Sequence, residues 1–363
     1  MIVSDGLEGI VAAETVLSDV DGEAGRLTVR GYPVETLAAS WTYEEVMRLL
    51  WEGFFEALPD DLQPALGMAR AEVFAEVAAL DATLRALPPI EAMRALTARL
   101  IDGDSLAVAL RLTAAPGVFT AAVIRAGAGE APLAPDPTLS HAADILRMTR
   151  GRAASAAEVA ALQAYLVTVA DHGLNASTFA ARVVASTRAG LTSAVLAGIS
   201  ALKGPLHGGA PGPVIEMLDA IGKPENARAW LEGALDRGDR LMGFGHRVYR
   251  VRDPRADALK SAIKALAAQS NVLPGRLAFA EAVETAALEV LRERKPNRSL
   301  QTNVELYTAL LLEGLAFPAD AFTCVFAMGR VCGWIAHARE QVEGGRLIRP
   351  ASVYVGPTPR QAA

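Results

Sequence analysis

From Thr42 onward the chain is punctuated by helix starts, each with a physical mechanism, and few segments alternate with the period of a strand, which confines it to a helical fold. Thr42 followed by Glu45 has the spacing of a capping box, in which side chains and backbone amides satisfy one another, and predicts a helix through Trp51. Ser155 and Glu158 predict another running towards Asp171. Asp253 before Pro254 places a cap ahead of a proline whose missing N–H costs nothing in the first turn, and opens a helix through Lys260 and Ala265. Alanine-rich runs over 92–100 and 278–290 add helix propensity. The uncharged stretches 112–124 and 190–202 fall short of the roughly 18 residues that span a bilayer and are expected as buried helices. The exception lies near the start, where β-branched residues in 9–17 and 26–30 flank an acidic, glycine-containing turn at 19–25 and predict a small hairpin. Loops are expected over 127–137 and around 204–213, and no fixed-period repeat is present. The expected class is all-α with a short N-terminal β-hairpin.

The chain has 363 residues, which at about 150 per domain suggests two domains. Its 35 Lys and Arg against 41 Asp and Glu leave a net charge of −6, with the cations interleaved among acids. A nucleic-acid binder would carry a basic stripe, so none is expected as partner. Asp5 and Glu8 stand where a secretory leader would have a basic start and a long apolar run, which predicts a cytoplasmic protein without a membrane partner. Cys324 and Cys332 form neither a CxxC pair nor a disulfide framework and are expected as small buried hydrophobes. HExxH, Walker A, GxGxxG and GxSxG are absent, and His337 with Glu340 lacks a second metal-binding pair, so no metal and no cofactor are expected.

Of the five histidines, three have unusual settings. His172 lies in DHGLNAST, a polar cluster bordering an apolar helix. His207 lies in KGPLHGGAPG, where glycines bring backbone close to a ligand. His246 lies in LMGFGHRVYRVRDPRA, followed by Arg247, Arg250, Arg252 and Arg255. A lone histidine is usually a satisfied structural group, but glycine beside the last two points to helix ends or turns where imidazole meets a small molecule. Four arginines in so short a span fit an anion site for a carboxylate or a phosphate. The same spacing fits a solvated basic helix end with arginines paired to Asp253 and Asp257.

The blocks GLEGIVAAETVLSDVDGEAGRLTVRGY, DHGLNASTFAARVVAST, LKGPLHGGAPG, LMGFGHRVYRVRDPRA, TNVELYTALLLEGL and AMGRVCGWIAHAREQ, in this order, resemble the citrate synthase family, and the resemblance runs from about Gly6 to Gly356. It implies an all-α homodimer with a large domain over 1–208 and 314–363, and a small domain over 209–313 that closes on the substrates. It also implies condensation of acetyl-CoA with oxaloacetate and hydrolysis of citryl-CoA to citrate and CoA, with acetyl-CoA a substrate and no cofactor. On the matching positions, His207 would hold the thioester carbonyl, His246 would polarise the ketone of oxaloacetate and protonate the alkoxide, and His172, assisted by Asn175, would bind oxaloacetate. Arg255, Arg330 and Arg349 match the arginines that clamp its carboxylates, the last supplied to the partner subunit's site. Arg250 matches a residue that meets the CoA phosphates.

A thioester methyl is a very weak carbon acid, so a carboxylate can deprotonate it only if a donor meets the charge growing on the oxygen. The family's base is Asp within NVDxxSG, whereas this chain has Asn303, Val304 and Glu305, an acid one methylene longer. NVE together with GGAP marks a minor, glutamate-containing type of the family. Its closest alternative is 2-methylcitrate synthase acting on propionyl-CoA, since one methyl is worth only about 1–3 kcal/mol of discrimination. A further alternative is a silent paralogue that binds oxaloacetate or CoA without turnover, and another is citryl-CoA cleavage by the same site in reverse. Without an extra N-terminal domain of the NADH-sensitive hexamers, a plain dimer is expected.

Overall fold

Helices begin where the caps predict them in the computed structural model, which describes residues 5–7, 9–208, 211–246, 248–269 and 273–357. Thr42 and Ser155 form complete capping boxes with Glu45 and Glu158 at the heads of Tyr43–Trp51 and Ala156–Val169. Asp253 caps Pro254–Ala267 by accepting the Arg255 amide. Sixteen α-helices and one small sheet make up the described chain.

The hairpin has other bounds than expected. Strand β1 is Ser18–Asp21, antiparallel to β2, Arg26–Val29, with Ser18 opposite Val29 and Asp21 opposite Arg26, and β3, Tyr32–Pro33, adds a short third strand. The expected first strand over 9–17 does not form: Val11 is 88% and Val16 62% exposed, whereas Leu27 and Val29 of β2 are buried and fix the register. The second expected loop also changes, because Pro211–Ile221 is a helix starting inside it. Gly209 and Ala210, and with them the expected start of the small domain and part of the GGAP motif, lie outside the described residues, as does Arg247.

Two long apolar helices run through the interior, Leu106–Gly127 and Phe322–Gly344. Leu106–Gly127 and the segment Ala319–Gly344 are long and apolar enough to cross a membrane, contrary to the expectation from uncharged runs alone, and 83% and 89% of their apolar windows are buried inside the fold. Phe322–Gly344 packs against Leu106–Gly127, Ala176–Ala185, Leu191–Leu202 and Ala156–Val169. Gly329 and Gly333 permit the last of these approaches, since a methyl group there would lie 2.4 Å from Val169 Cγ2 and 2.2 Å from the Ala170 carbonyl oxygen. Cys324 and Cys332 on the same helix are buried free thiols, and burial pushes both up to about 12. Pro254–Ala267 packs on Val304–Gly314 and also on Ala156–Val169 and Val34–Ser40, so one apolar cluster runs through the chain.

Candidate active site

The end of Ala156–Val169 and the start of Ala176–Ala185 bracket His172, which is buried with Nε2 3.1 Å from the Tyr249 hydroxyl. Its neighbour Asp171 faces His337 Nε2 at 3.1 Å, and His337 Nδ1 faces Arg182 Nη1 at 3.1 Å. An arginine can only donate, so the His337 proton is on Nε2 and is given to Asp171. Arg182 also donates to Glu340 and, at 3.0 Å, to Gln341 Oε1. Arg330 lies two turns before His337 on Phe322–Gly344. It is buried, its Nε donates to the Val169 carbonyl, and its Nη2 has no partner. Burial lowers it to about 10 against the opposing pull of Asp171. A buried guanidinium N–H without an acceptor is costly, and a bound carboxylate is the natural acceptor.

His246 stands on an irregular segment. Its Nδ1 accepts the amides of Val248 at 3.0 Å and Tyr249 at 3.1 Å, which puts the ring proton on Nε2. That Nε2–H faces Arg255 Nη2 at 3.3 Å, so two donors point together with no acceptor between them. Arg255 is held bidentate by Asp253, Nε to Oδ1 at 3.0 Å and Nη2 to Oδ2 at 2.8 Å, and Asp253 also accepts the Val304 amide at 3.2 Å. The segment is zipped to the start of Val304–Gly314 by Gly245 N donating to Gln301 O at 2.7 Å and Asn303 N to Gly243 O at 3.0 Å. Asn303 Nδ2 donates to Gly245 O at 2.8 Å and to Glu305 Oε2 at 3.3 Å, while its Oδ1 caps the helix by accepting the Glu305 amide at 3.0 Å. Burial raises the Glu305 carboxyl, with the Arg255 charge opposing.

His207 follows Leu191–Leu202 in a turn closed by its own amide on Gly204 O at 3.0 Å. Its Nε2 lies 2.8 Å from Ser177 Oγ, which receives Trp334 Nε1–H at 3.2 Å and lies 2.8 Å from Asn175 Oδ1. The single hydroxyl proton can serve Asn175 or His207. Burial, then the charges of Arg330 and Arg255, lower His207 to about 4. Burial and Arg255 bring His246 to about 4, and burial, then Arg255 and Arg330, hold His172 well below its usual value. At neutral pH all three rings are uncharged.

The structure thus brings together His172, His246, Arg255 and Arg330, with His207 in the field of both arginines and Glu305 in that of Arg255. Asn175 sits among them with its amide occupied: Oδ1 caps Ala176–Ala185 by accepting the Ser177 and Thr178 amides, both at 3.1 Å. Two arginines stand apart. Arg250 is exposed and engaged through its backbone, its amide donating to Gly22 O at 2.9 Å. Arg349 is exposed on the extended segment after Gly344 and makes no hydrogen bond or ion pair with the described residues. The two readings of the basic run divide between its members, since Arg255 turns inward on Asp253 while Arg252 pairs with Asp257 at 2.6 Å on the surface. Sequence reasoning missed Tyr249 and Trp334, for which no local signal exists, whereas pairing of an arginine with Asp253 was one of its two readings of the basic run. Among the described residues no three His, Cys, Asp or Glu side chains converge as metal ligands.

A helical protein that gathers three neutral imidazoles and a carboxyl of raised pKa around two buried arginines is of the class that binds a small carboxylate substrate and moves protons on it. The model of the family "Citrate synthase, C-terminal domain" matches residues 6–351. A citrate synthase of Haloferax volcanii is 38% identical, over 97% of this chain and 95% of its own length. A 2-methylcitrate synthase of Mycobacterium tuberculosis is 37% identical, over 98% and 91%. The citrate synthase of Thermoplasma acidophilum, solved as a ternary complex with carboxymethyl coenzyme A and oxaloacetate, superposes with a TM-score of 0.87 at 29% identity, over 100% of this chain and 98% of that one. The chain belongs to the citrate synthase family, as an enzyme with its mostly helical fold.

Proposed function

We propose that the protein condenses acetyl-CoA with oxaloacetate and hydrolyses the resulting citryl-CoA to citrate and CoA. The observation that carries this is the set of donors left without an acceptor: Arg330 Nη2 unpaired, and His246 Nε2–H converging with Arg255 Nη2. Oxaloacetate offers two carboxylates and a ketone oxygen to such a set. Arg330 and Arg255 take carboxylate oxygens, His172 contributes from the floor, and Asn175 positions Ser177 and the helix start.

Glu305 removes a proton from the acetyl methyl while His207 donates a hydrogen bond to the thioester oxygen, so charge is met as it forms. This requires the His207 proton on Nδ1, which follows when the Ser177 hydroxyl donates its hydrogen bond to Nε2. The enolate carbon then attacks the ketone carbon, the alkoxide takes the Nε2 proton of His246, and the proton that Glu305 removed from the methyl group restores the ring, so that the net transfer is from the methyl to the new hydroxyl. Water cleaves the thioester, releasing CoA. Burial of Glu305 supports its part, because a raised carboxyl is the stronger base. The steps use protein side chains alone, with no metal or cofactor.

In the same reading residues 209–313 form a smaller domain that closes over the larger, Arg250 meets the CoA phosphates, and Arg349 completes the site of a second subunit. The exposed segment that carries Arg349 also exposes Val353, Tyr354 and Val355, an apolar run suited to a partner surface. The near-equal likeness to a 2-methylcitrate synthase keeps propionyl-CoA as the second reading. Thiol release with oxaloacetate, run in parallel with acetyl-CoA and propionyl-CoA and with products weighed by mass spectrometry, tests both. Faster turnover of acetyl-CoA to citrate is expected. A propionyl preference transfers the protein to the second reading, and no release despite oxaloacetate binding makes it a silent paralogue.

A further inference from the structure

We propose that the N-terminal hairpin is a splint that fixes His172 and His246 relative to each other, with Ser18 and Gly22 as positioning residues. One end of β1 grips the segment of His172. Ser18 Oγ donates to Asp171 Oδ2 and accepts the Gly173 amide at 2.9 Å, and Val20 lies so near that a Cβ on Gly173 would be 3.1 Å from its Cγ2. The turn at the other end grips the segment of His246. Gly22 O accepts the Arg250 amide at 2.9 Å, and a methyl group on Gly22 would lie 2.4 Å from Val248 O and 3.0 Å from Val248 Cγ1. On the far side of the turn, a Cβ on Gly25 would be 2.6 Å from Val251 Cγ2.

Val248 is the residue that, with Tyr249, supplies an amide to His246 Nδ1 and so sets which nitrogen of that ring carries the proton. A strand rises about 3.3 Å per residue, so the span from Ser18 to Gly22 is roughly 13 Å of hydrogen-bonded, pleated backbone reaching from one histidine segment to the other. The strand is itself tied down, because Glu340 Oε1 accepts the Val16 amide at 2.9 Å and the Thr15 hydroxyl at 3.2 Å. Glu340 belongs to the chain of contacts through Arg182 and His337 that ends on Asp171. At Gly22 the need for glycine is one of space: the group in the way is a backbone carbonyl, which cannot rotate aside as a side chain could, so alanine moves the whole segment.

The kinetic part of the test rests on the proposed citrate synthase reading; a second part does not. Gly22→Ala, Ser18→Ala, Ser18→Thr and, as control, the exposed turn variant Glu23→Ala are compared for kcat, KM for oxaloacetate, Tm and the nitrogen chemical shifts of the His246 ring in 15N-labelled protein. Gly22→Ala is expected to lower kcat by about 10- to 100-fold, the cost of roughly 1 Å of misplacement, while Tm changes little and His246 Nδ1 loses the shift of a hydrogen-bonded acceptor. Ser18→Ala raises KM several-fold, Ser18→Thr restores it, Glu23→Ala changes nothing, and Ser18→Ala with Gly22→Ala costs less than the product of the two. Wild-type kinetics and ring shifts in Gly22→Ala overturn the splint, as does a fall in Tm with kcat and ring shifts unchanged. If the wild type itself shows no turnover the enzymatic reading fails, and the ring shifts still decide the splint.

Discussion

The two halves of the site are made rigid by opposite means. His172, Asp171, Arg330 and His337 belong to helices or their ends, all are buried, and they hold one another through fixed side chains. His246 stands on a segment with one isolated bridge, Phe244 to Thr302, and is kept in place by backbone bonds to residues 301–303 and by Asn303. A helix-built wall can leave Arg330 Nη2 unsatisfied because dense packing stops the wall from collapsing onto it. The irregular segment is instead tied to the helix start that carries Glu305, since Asn303 bonds to both. The wall is thus suited to binding, and the segment to proton transfer.

The largest test of that division is Glu305→Gln, which keeps the shape and removes the base. We expect kcat to fall by about 10³-fold with oxaloacetate affinity within a few-fold of wild type by calorimetry. Survival of turnover would place the base elsewhere and reduce the segment to a binding element. The pH profile sharpens the same point. Burial raises the Glu305 carboxyl above 4.5, so protonation removes the base as pH falls through that raised value, while His207 and His246, lowered to about 4, remain neutral. The acid limb of kcat/KM is expected above pH 4.5; a limb near 4 would assign it to the histidines.

On the wall, Arg330→Gln is expected to raise KM for oxaloacetate by about 10²-fold, the worth of a charge-assisted bond to a buried carboxylate, with kcat falling less. Equal losses in kcat and kcat/KM would mean that Arg330 acts in the transition state, and the separation of binding from proton transfer would fail.

Much of this was legible in the sequence because it is local. Capping spacings such as Thr42 with Glu45 and Asp253 with Pro254 need no tertiary context, and the glycines beside His207 and His246 mark breaks wherever they fall. The hairpin slipped because β-branched residues over 9–17 look strand-like, whereas pairing is decided by which residues of the facing strand are buried. Tyr249 and Trp334 were invisible for the same reason: an aromatic side chain in a helical protein reads as core until its polar atom is seen to face an imidazole or the hydroxyl that serves one. Asn175 looked like a ligand by its place in the motif, and its amide is taken up by the helix that follows.

Tyr249 also supplies the smallest test, because its hydroxyl, 3.1 Å from His172 Nε2, joins the segment to the wall directly. Tyr249→Phe removes one neutral hydrogen bond worth about 0.5–1.5 kcal/mol and leaves His172 Nε2 short of a partner. If the halves are separately rigid, as their construction implies, losing this link raises KM for oxaloacetate by about 2- to 10-fold and lowers Tm by a few degrees, with kcat nearly unchanged. A collapse of kcat comparable to that of Glu305→Gln would show instead that the segment depends on the wall for its geometry. In that case the hydrogen bonds through Asn303 and the hairpin contact at Gly22 do not suffice to hold His246, and the two halves act as one body.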